Sequence, residues 1–187
     1  MYDVAIIGAG PSGATLARLI GNRYRTLLID KRRPLGDLGN KITVKCCGGL
    51  LAPDAQKMLS KMGLGLPRKV LVDPQLFVVR AIDIPQRLEK FYQRFYVNMD
   101  RQKFDSWLMT LLPTTVDLRL DCRFKSYQSD KKGFRITLRD KKKVFTETAK
   151  ILVGADGASS KVRRQALPDT NLPKAYIAVQ EWVEANR

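Results

Sequence analysis

The chain has 187 residues, with 34 Lys and Arg against 18 Asp and Glu, a formal charge of +16, and no His. Length over about 150 suggests one domain, or one with an appendage, and 44% hydrophobic with 28% charged residues is ordinary globular composition. Without imidazole there is no Ser-His-Asp or Cys-His nucleophile system and no His-ligated metal, so proton chemistry falls to carboxylates, Lys, Tyr, Cys or a cofactor.

No metal site is expected. The longest stretch without a charge, Val4–Ala17, is shorter than the ~20 apolar residues of a bilayer span, so a soluble chain is expected. Three cysteines (Cys46, Cys47, Cys122) and an opening that reads directly as a strand suggest a reducing, cytoplasmic setting.

In chain order, residues 3–8 form a short apolar run closed by Gly, suited to a doubly buried parallel strand. Ala14, Leu16, Ala17, Leu19 and Ile20 then recur at helical spacing from Pro11 to about Asn22, and Arg25–Asp30 is a second buried strand. Strand, Gly turn, helix and strand within thirty residues make one βαβ unit, right-handed by default.

Lys31–Ala52 reads as a long irregular segment, and Pro53–Met62 as a helix with Pro at its first position. Val70–Val72, Leu76–Val79 and Phe95–Val97 suggest a small antiparallel layer. Asp100 is placed to cap a helix with Phe104, Trp107, Leu108 and Leu111 in one stripe, ended by Pro113. Strands are predicted at Val116–Leu120, Phe124–Gln128, Phe134–Leu138 and Val144–Ala149, then a separate one at Ile151–Gly154. A basic helix follows, and one more strand is predicted within Ala175–Val183.

The predicted class is α/β: a Rossmann-like, parallel-sheet domain with an antiparallel β layer and the start of a substrate-binding sheet. The domain reading assigns 1–165 to the nucleotide-binding domain, with an insertion at about 65–98 belonging to a substrate-side layer. Residues 166–187 would begin a second, truncated domain.

The strongest motif is Gly8-Ala-Gly10-Pro11-Ser12-Gly13, a Gly-x-Gly-x-x-Gly between a buried strand and a helix mouth. Gly8 permits the tight turn, Gly10 lets backbone approach a pyrophosphate, and Gly13 lets helix pack on sheet. Asp30 ends the second strand, about the ~20 residues further on where an acid takes ribose hydroxyls.

Together with Gly154-Ala-Asp156-Gly157-Ala-Ser-Ser160-Lys-Val-Arg163, the opening resembles the FAD-dependent superfamily typified by p-hydroxybenzoate hydroxylase. Lys45-Cys46-Cys47-Gly48-Gly49-Leu50 and Arg101-Gln-Lys-Phe104-Asp105-Ser-Trp107-Leu108 resemble the geranylgeranyl reductase branch of it.

The resemblance implies FAD as cofactor and an oxidoreductase that reduces C=C bonds of an isoprenoid lipid by hydride delivery from the reduced flavin. The alternatives are a flavin monooxygenase hydroxylating an aromatic substrate, and a truncated, non-catalytic nucleotide-binding remnant. The implied cofactor-binding residues are Gly8, Gly10, Pro11, Ser12, Gly13, Asp30, Lys31, Cys46, Gly48, Gly49, Arg101, Gly154, Asp156 and Gly157. Cys46 is the catalytic candidate and Cys47 the second. NAD(P)H or a reduced electron carrier is the expected donor.

The branch's third flavin motif and its aromatic lipid-pocket motif have no counterpart here, which reads as truncation. The basic balance admits a nucleic acid, but no recognition motif accompanies it and none is expected as a partner. Peripheral contact with anionic lipid, or a phosphate-bearing ligand, remains open. The densest cluster, Lys131-Lys132 with Arg139 and Lys141–Lys143, is also explicable as a Lys-rich strand edge that blocks unwanted pairing.

Overall fold

The computed structural model describes residues 1–32, 47–141, 143–168, 170, 174–179 and 181. The chain divides into two compact units, Met1–Thr43 with Asp105–Ala175, and Val44–Phe104 with Tyr176–Arg187.

The first unit is built on β1 (Tyr2–Ile7), α1 (Pro11–Ile20) and β2 (Thr26–Ile29). All four residues of β2 are buried, as are Val4–Ile7 of β1, so continuous apolar runs become strands covered on both faces. The second unit contributes β3 (Leu50–Leu51), α2 (Pro53–Lys61), β4 (Leu76–Asp83) and β5 (Leu88–Asn98).

α3 (Arg101–Thr110) follows, then β6 (Asp117–Arg119), β7 (Arg123–Asp130), β8 (Gly133–Arg139), β9 (Val144–Gly154) and α4 (Lys161–Ala166). Asp100 caps α3 as the sequence predicts, its Oδ1 accepting from the amides of Gln102 (2.8 Å) and Lys103 (2.9 Å).

The main sheet runs β6-β2-β1-β9-β8-β7. Its first three pairings are parallel and its last two antiparallel. Period-2 alternation divides the core. Ala5, Ile7, Leu27 and Ile29 pack with Phe124, Ile136 and Leu138 on one side. Val4, Ile6 and Leu28 pack with Ala17 of α1 and Val116 on the other, flanked by Met109 and Leu112.

An ionic knot ties three strands. Arg119 on β6 donates to Asp117 (2.7 Å), to Glu147 on β9 (2.6 Å) and to the hydroxyl of Tyr2 on β1 (2.8 Å), while that hydroxyl donates to Asp117. The hydrogen bond from Arg119, with its charge, holds Asp117 below the usual carboxylate range.

The second unit's sheet is ordered β3-β5-β4, all antiparallel. The α/β class with a separate antiparallel layer is therefore what the structure has.

Three local expectations are corrected. Val144–Ala149 and Ile151–Gly154 form the single strand β9, because the chain stays extended through Lys150 while its pairing passes from β8 (Val144–Ala149) to β1 (Ala149–Gly154). Val70–Val72 is not a strand: Arg68–Val70 is a 3₁₀ turn, and Leu71 only bridges Met99. Lys174–Val179 carries no strand. Tyr176, Ile177 and Val179 are each over 90% exposed, and no described strand pairs with this segment.

Candidate functional site

The turn from β1 into α1 is held by contacts that only glycine permits. Gly8 has φ +106°, and a Cβ there would lie 2.3 Å from the Ala155 carbonyl oxygen. A Cβ on Gly13 would fall 1.8 Å from the Gly8 carbonyl oxygen. The glycines thus press the turn after β1 against the turn after β9, and the Ala155 amide donates to the Ile7 carbonyl at 2.8 Å.

Gly10 is the N-cap of α1 in extended conformation, Pro11 occupies the first turn, and no side chain caps this end. The amides of Ser12 and Gly13, with the positive end of the helix dipole, are oriented as a dinucleotide pyrophosphate requires. These residues fit that group.

Asp30 follows β2 and is 7% exposed. Its Oδ2 accepts from the Ala9 amide (2.7 Å) and Arg32 Nη2 (2.9 Å), and its Oδ1 from the Arg32 amide (2.8 Å) and Arg32 Nε (2.9 Å). The same guanidinium donates to the Ala9 carbonyl (2.8 Å) and to Asp105 Oδ2 (2.9 Å), a carboxylate only 2% exposed. Burial would raise the Asp30 carboxyl, but the Arg32 hydrogen bonds and charge, with the Ala9 amide, hold it below the usual carboxylate range.

Sequence reading missed Arg32 and Asp105 as a pair. The available signal was an Asp inside an apolar helical stripe, since a buried carboxylate demands a cation. Lys31, beside them, is exposed.

In the second fingerprint, Asp156 accepts from the Ser160 hydroxyl and from the amides of Lys161 (2.7 Å) and Val162 (3.3 Å), while Ser160 Oγ accepts from the Arg163 amide (3.0 Å). The Asp156 carboxylate therefore organises the start of α4. Gly154 lies under Val162, where a Cβ would meet that side chain at 2.9 Å. Gly157, at φ +83°, faces open space.

In the second unit, Gly49 has φ +72°, and a Cβ there would lie 2.4 Å from the Met99 carbonyl oxygen, whereas Gly48 has nothing within 4 Å. Backbone contact with Met99 accounts for the glycine at 49. Arg101 Nη1 stands 3.9 Å from Cys47 Sγ. Cys46, the catalytic candidate, lies outside the described residues. Among the described residues no group of three or more Cys, Asp or Glu could hold a metal ion, and no helix is long and apolar enough to cross a membrane.

A parallel sheet whose Gly-rich turn opens an uncapped helix defines a dinucleotide-binding domain. The family described as FAD binding domain matches residues 1–176, and the chain belongs to that family, with FAD as its cofactor.

Protein CbrA of Escherichia coli K12 is 43% identical over 183 residues, covering 97% of this chain and 50% of CbrA. Protein CbrA of Shigella flexneri serotype 5b gives the same identity, over 97% of this chain and 48% of its own length. The chain thus spans about half the length of the curated relatives it matches.

Among solved structures, a geranylgeranyl bacteriochlorophyll reductase-like protein from Thermoplasma acidophilum superposes with TM-score 0.73 at 22% identity, covering 88% of this chain and 41% of that one. PqsL, a probable FAD-dependent monooxygenase from Pseudomonas aeruginosa, does so with TM-score 0.68 at 21% identity, covering 94% and 48%. At these identities the likeness is one of fold.

Proposed function

We propose that this chain forms the FAD-binding part of an oxidoreductase that reduces C=C bonds of an isoprenoid lipid. The observation that carries the FAD half is the Gly8–Gly13 turn, locked against Ala155 beside the uncapped start of α1. In this reading the Ser12 and Gly13 amides bind the pyrophosphate, with Gly8, Gly10 and Pro11 shaping the turn.

Asp30 and Lys31 flank the ribose, while Gly154, Asp156 and Gly157 shape the second turn. Cys46, Gly48, Gly49 and Arg101 belong to the flavin side by resemblance to the reductase branch, with Cys46 the candidate for moving a proton and Cys47 beside it. The bound flavin would supply hydride chemistry. The chain's own task is to fix the cofactor through backbone amides and to keep it rigid.

The choice of an isoprenoid rests on the Cys-x-Gly-Gly and Arg-x-x-Phe-Asp-x-Trp-Leu motifs. It is supported by the apolar β4–β5 sheet, where Phe77, Val78, Ile82, Phe91 and Phe95 are each 55–66% exposed. Such a surface suits a hydrocarbon substrate.

The test is to load the protein with FAD, reduce it without oxygen, and add a prenyl diphosphate. Reoxidation of the flavin coupled to loss of the alkene is the expected result. Reoxidation that requires oxygen and yields a hydroxylated aromatic would instead assign a monooxygenase. A protein that takes up no flavin would sink both readings.

A further inference from the structure

The basic cluster around the β7–β8 hairpin is not among the residues assigned above to the flavin site. Arg123, Lys125, Arg139 and Lys141 line a groove of about 360 Å³ together with Asp121 and Asp140. Lys141 pairs with Asp121 at 3.1 Å. No described carboxylate forms an ion pair with Arg123, Lys125 or Arg139, and all three are exposed. Four cations against two carboxylates leave an excess of two positive charges, matching the charge of −1.5 to −2 on a phosphate monoester near neutral pH.

The register carries the second observation. Arg123 and Arg139 are direct cross-strand partners of an antiparallel ladder. Like charges in that position repel and destabilise the pair unless an anion lies between them. Edge protection does not explain the arrangement. Cations that block pairing are needed on the edge strand β7, whereas Arg139 stands on β8, inside the sheet between β7 and β9.

The start of the hairpin beside the groove is also fixed. The Asp121 amide donates to the Arg32 carbonyl (2.7 Å) and the Cys122 amide to the Asp30 carbonyl (3.0 Å), which anchors this end of the hairpin to the segment after β2.

We infer that the groove between Arg123 and Arg139 is a phosphate-binding site, separate from the Gly8–Gly13 turn, for a phosphate or pyrophosphate group. Two guanidinium forks brought together by the ladder suit the planar, bidentate recognition of phosphate oxygens, with Lys125 adding a point charge.

The test uses the FAD-loaded protein with arginine side chains labelled for NMR, titrated with inorganic pyrophosphate at constant ionic strength. A parallel arm uses vesicles of phosphatidylglycerol against phosphatidylcholine. Saturable shifts of the Arg123 and Arg139 Nε–Hε signals are expected in at least one arm. Response to free pyrophosphate assigns a soluble ligand; response to phosphatidylglycerol alone assigns a lipid headgroup.

Arg123→Gln/Arg139→Gln should weaken the response by about tenfold or more, the value of a charge-assisted hydrogen bond. Lys131→Gln/Lys132→Gln, which removes the same charge outside the groove, should change it less than about twofold. Removing the like-charge pair should leave the melting temperature unchanged or raised, which separates lost binding from lost folding. Should the double variant not fold, Arg139→Lys replaces it, and unchanged affinity in that variant overturns the inference. Equal weakening by both glutamine pairs, or no saturation in either arm, overturns it as well.

Discussion

Replacing Arg32 by Met tests whether the guanidinium holds two buried carboxylates in place. Met keeps an unbranched side chain of related length, so the perturbation is mainly electrostatic. The variant loses the bonds to Asp30 Oδ1 and Oδ2 (2.9 Å each), Asp105 Oδ2 (2.9 Å) and the Ala9 carbonyl (2.8 Å). Asp105 is then a 2%-exposed carboxylate without its arginine.

Removing one partner of a buried ion pair costs about 3–5 kcal/mol, and the 29% exposure of the Arg32 side chain favours the lower end. For a chain of this size, about 3 kcal/mol lowers the melting temperature by roughly 6–12 °C. Thermal unfolding followed by circular dichroism measures this.

The pH dependence distinguishes charge from packing. In the wild type, Asp30 is held below its ordinary value, so its stabilisation is present above the unfolded pKa and lost as pH falls through the lower folded value. In the variant, the buried Asp30 and Asp105 carboxylates lack the Arg32 charge, so protonation relieves part of their burial cost. The gap between the two proteins should therefore narrow as pH falls through about 3.9, the ordinary carboxylate value. A loss under about 1 kcal/mol, or a gap that does not move with pH, would refute the reasoning.

Gly13→Val should abolish FAD uptake and lower the melting temperature, because its Cβ would stand 1.8 Å from the Gly8 carbonyl oxygen; flavin absorbance of the purified protein checks it. Ser160→Ala removes the acceptor for the Arg163 amide and a partner of Asp156, and should cost about 0.5–2 kcal/mol in denaturant unfolding. Burial pushes the Cys122 thiol up, so its peptide should resist alkylation in the folded protein at neutral pH and become labelled on unfolding, as mass spectrometry would show.

The parallel half of the fold was legible because its signals are local. An apolar run, a Gly-x-Gly-x-x-Gly turn and an apolar periodicity of 3.6 each occupy fewer than a dozen residues, and β1, α1 and β2 follow them closely. The antiparallel parts were less legible. β4 and β5 run well beyond the predicted cores because their strands are exposed on both faces and show no clean alternation. β9 was divided because its upper half pairs with β8 and its lower half with β1, so its burial pattern changes along one strand. The knot of Tyr2, Asp117, Arg119 and Glu147 was not legible at all. Its members are more than a hundred residues apart in part, and only strand order brings them together.

Asp30 carries the same limit within a single side chain. An ionised carboxylate offers about four acceptor positions, and here two amides and two guanidinium nitrogens already occupy four. The glycine spacing places an acid at the ribose, but spacing is silent about which neighbour claims that acid first. If ribose hydroxyls bind Asp30, they compete with Arg32 and must displace at least one of its bonds. Arg32→Met then separates two roles within one protein: the fold loses its buried cation while Asp30 gains free acceptors for the ribose. Tighter FAD binding per folded molecule, alongside lower stability, would place the ribose on Asp30. Weaker binding in a variant still folded at the assay temperature would assign the contact to Arg32 itself.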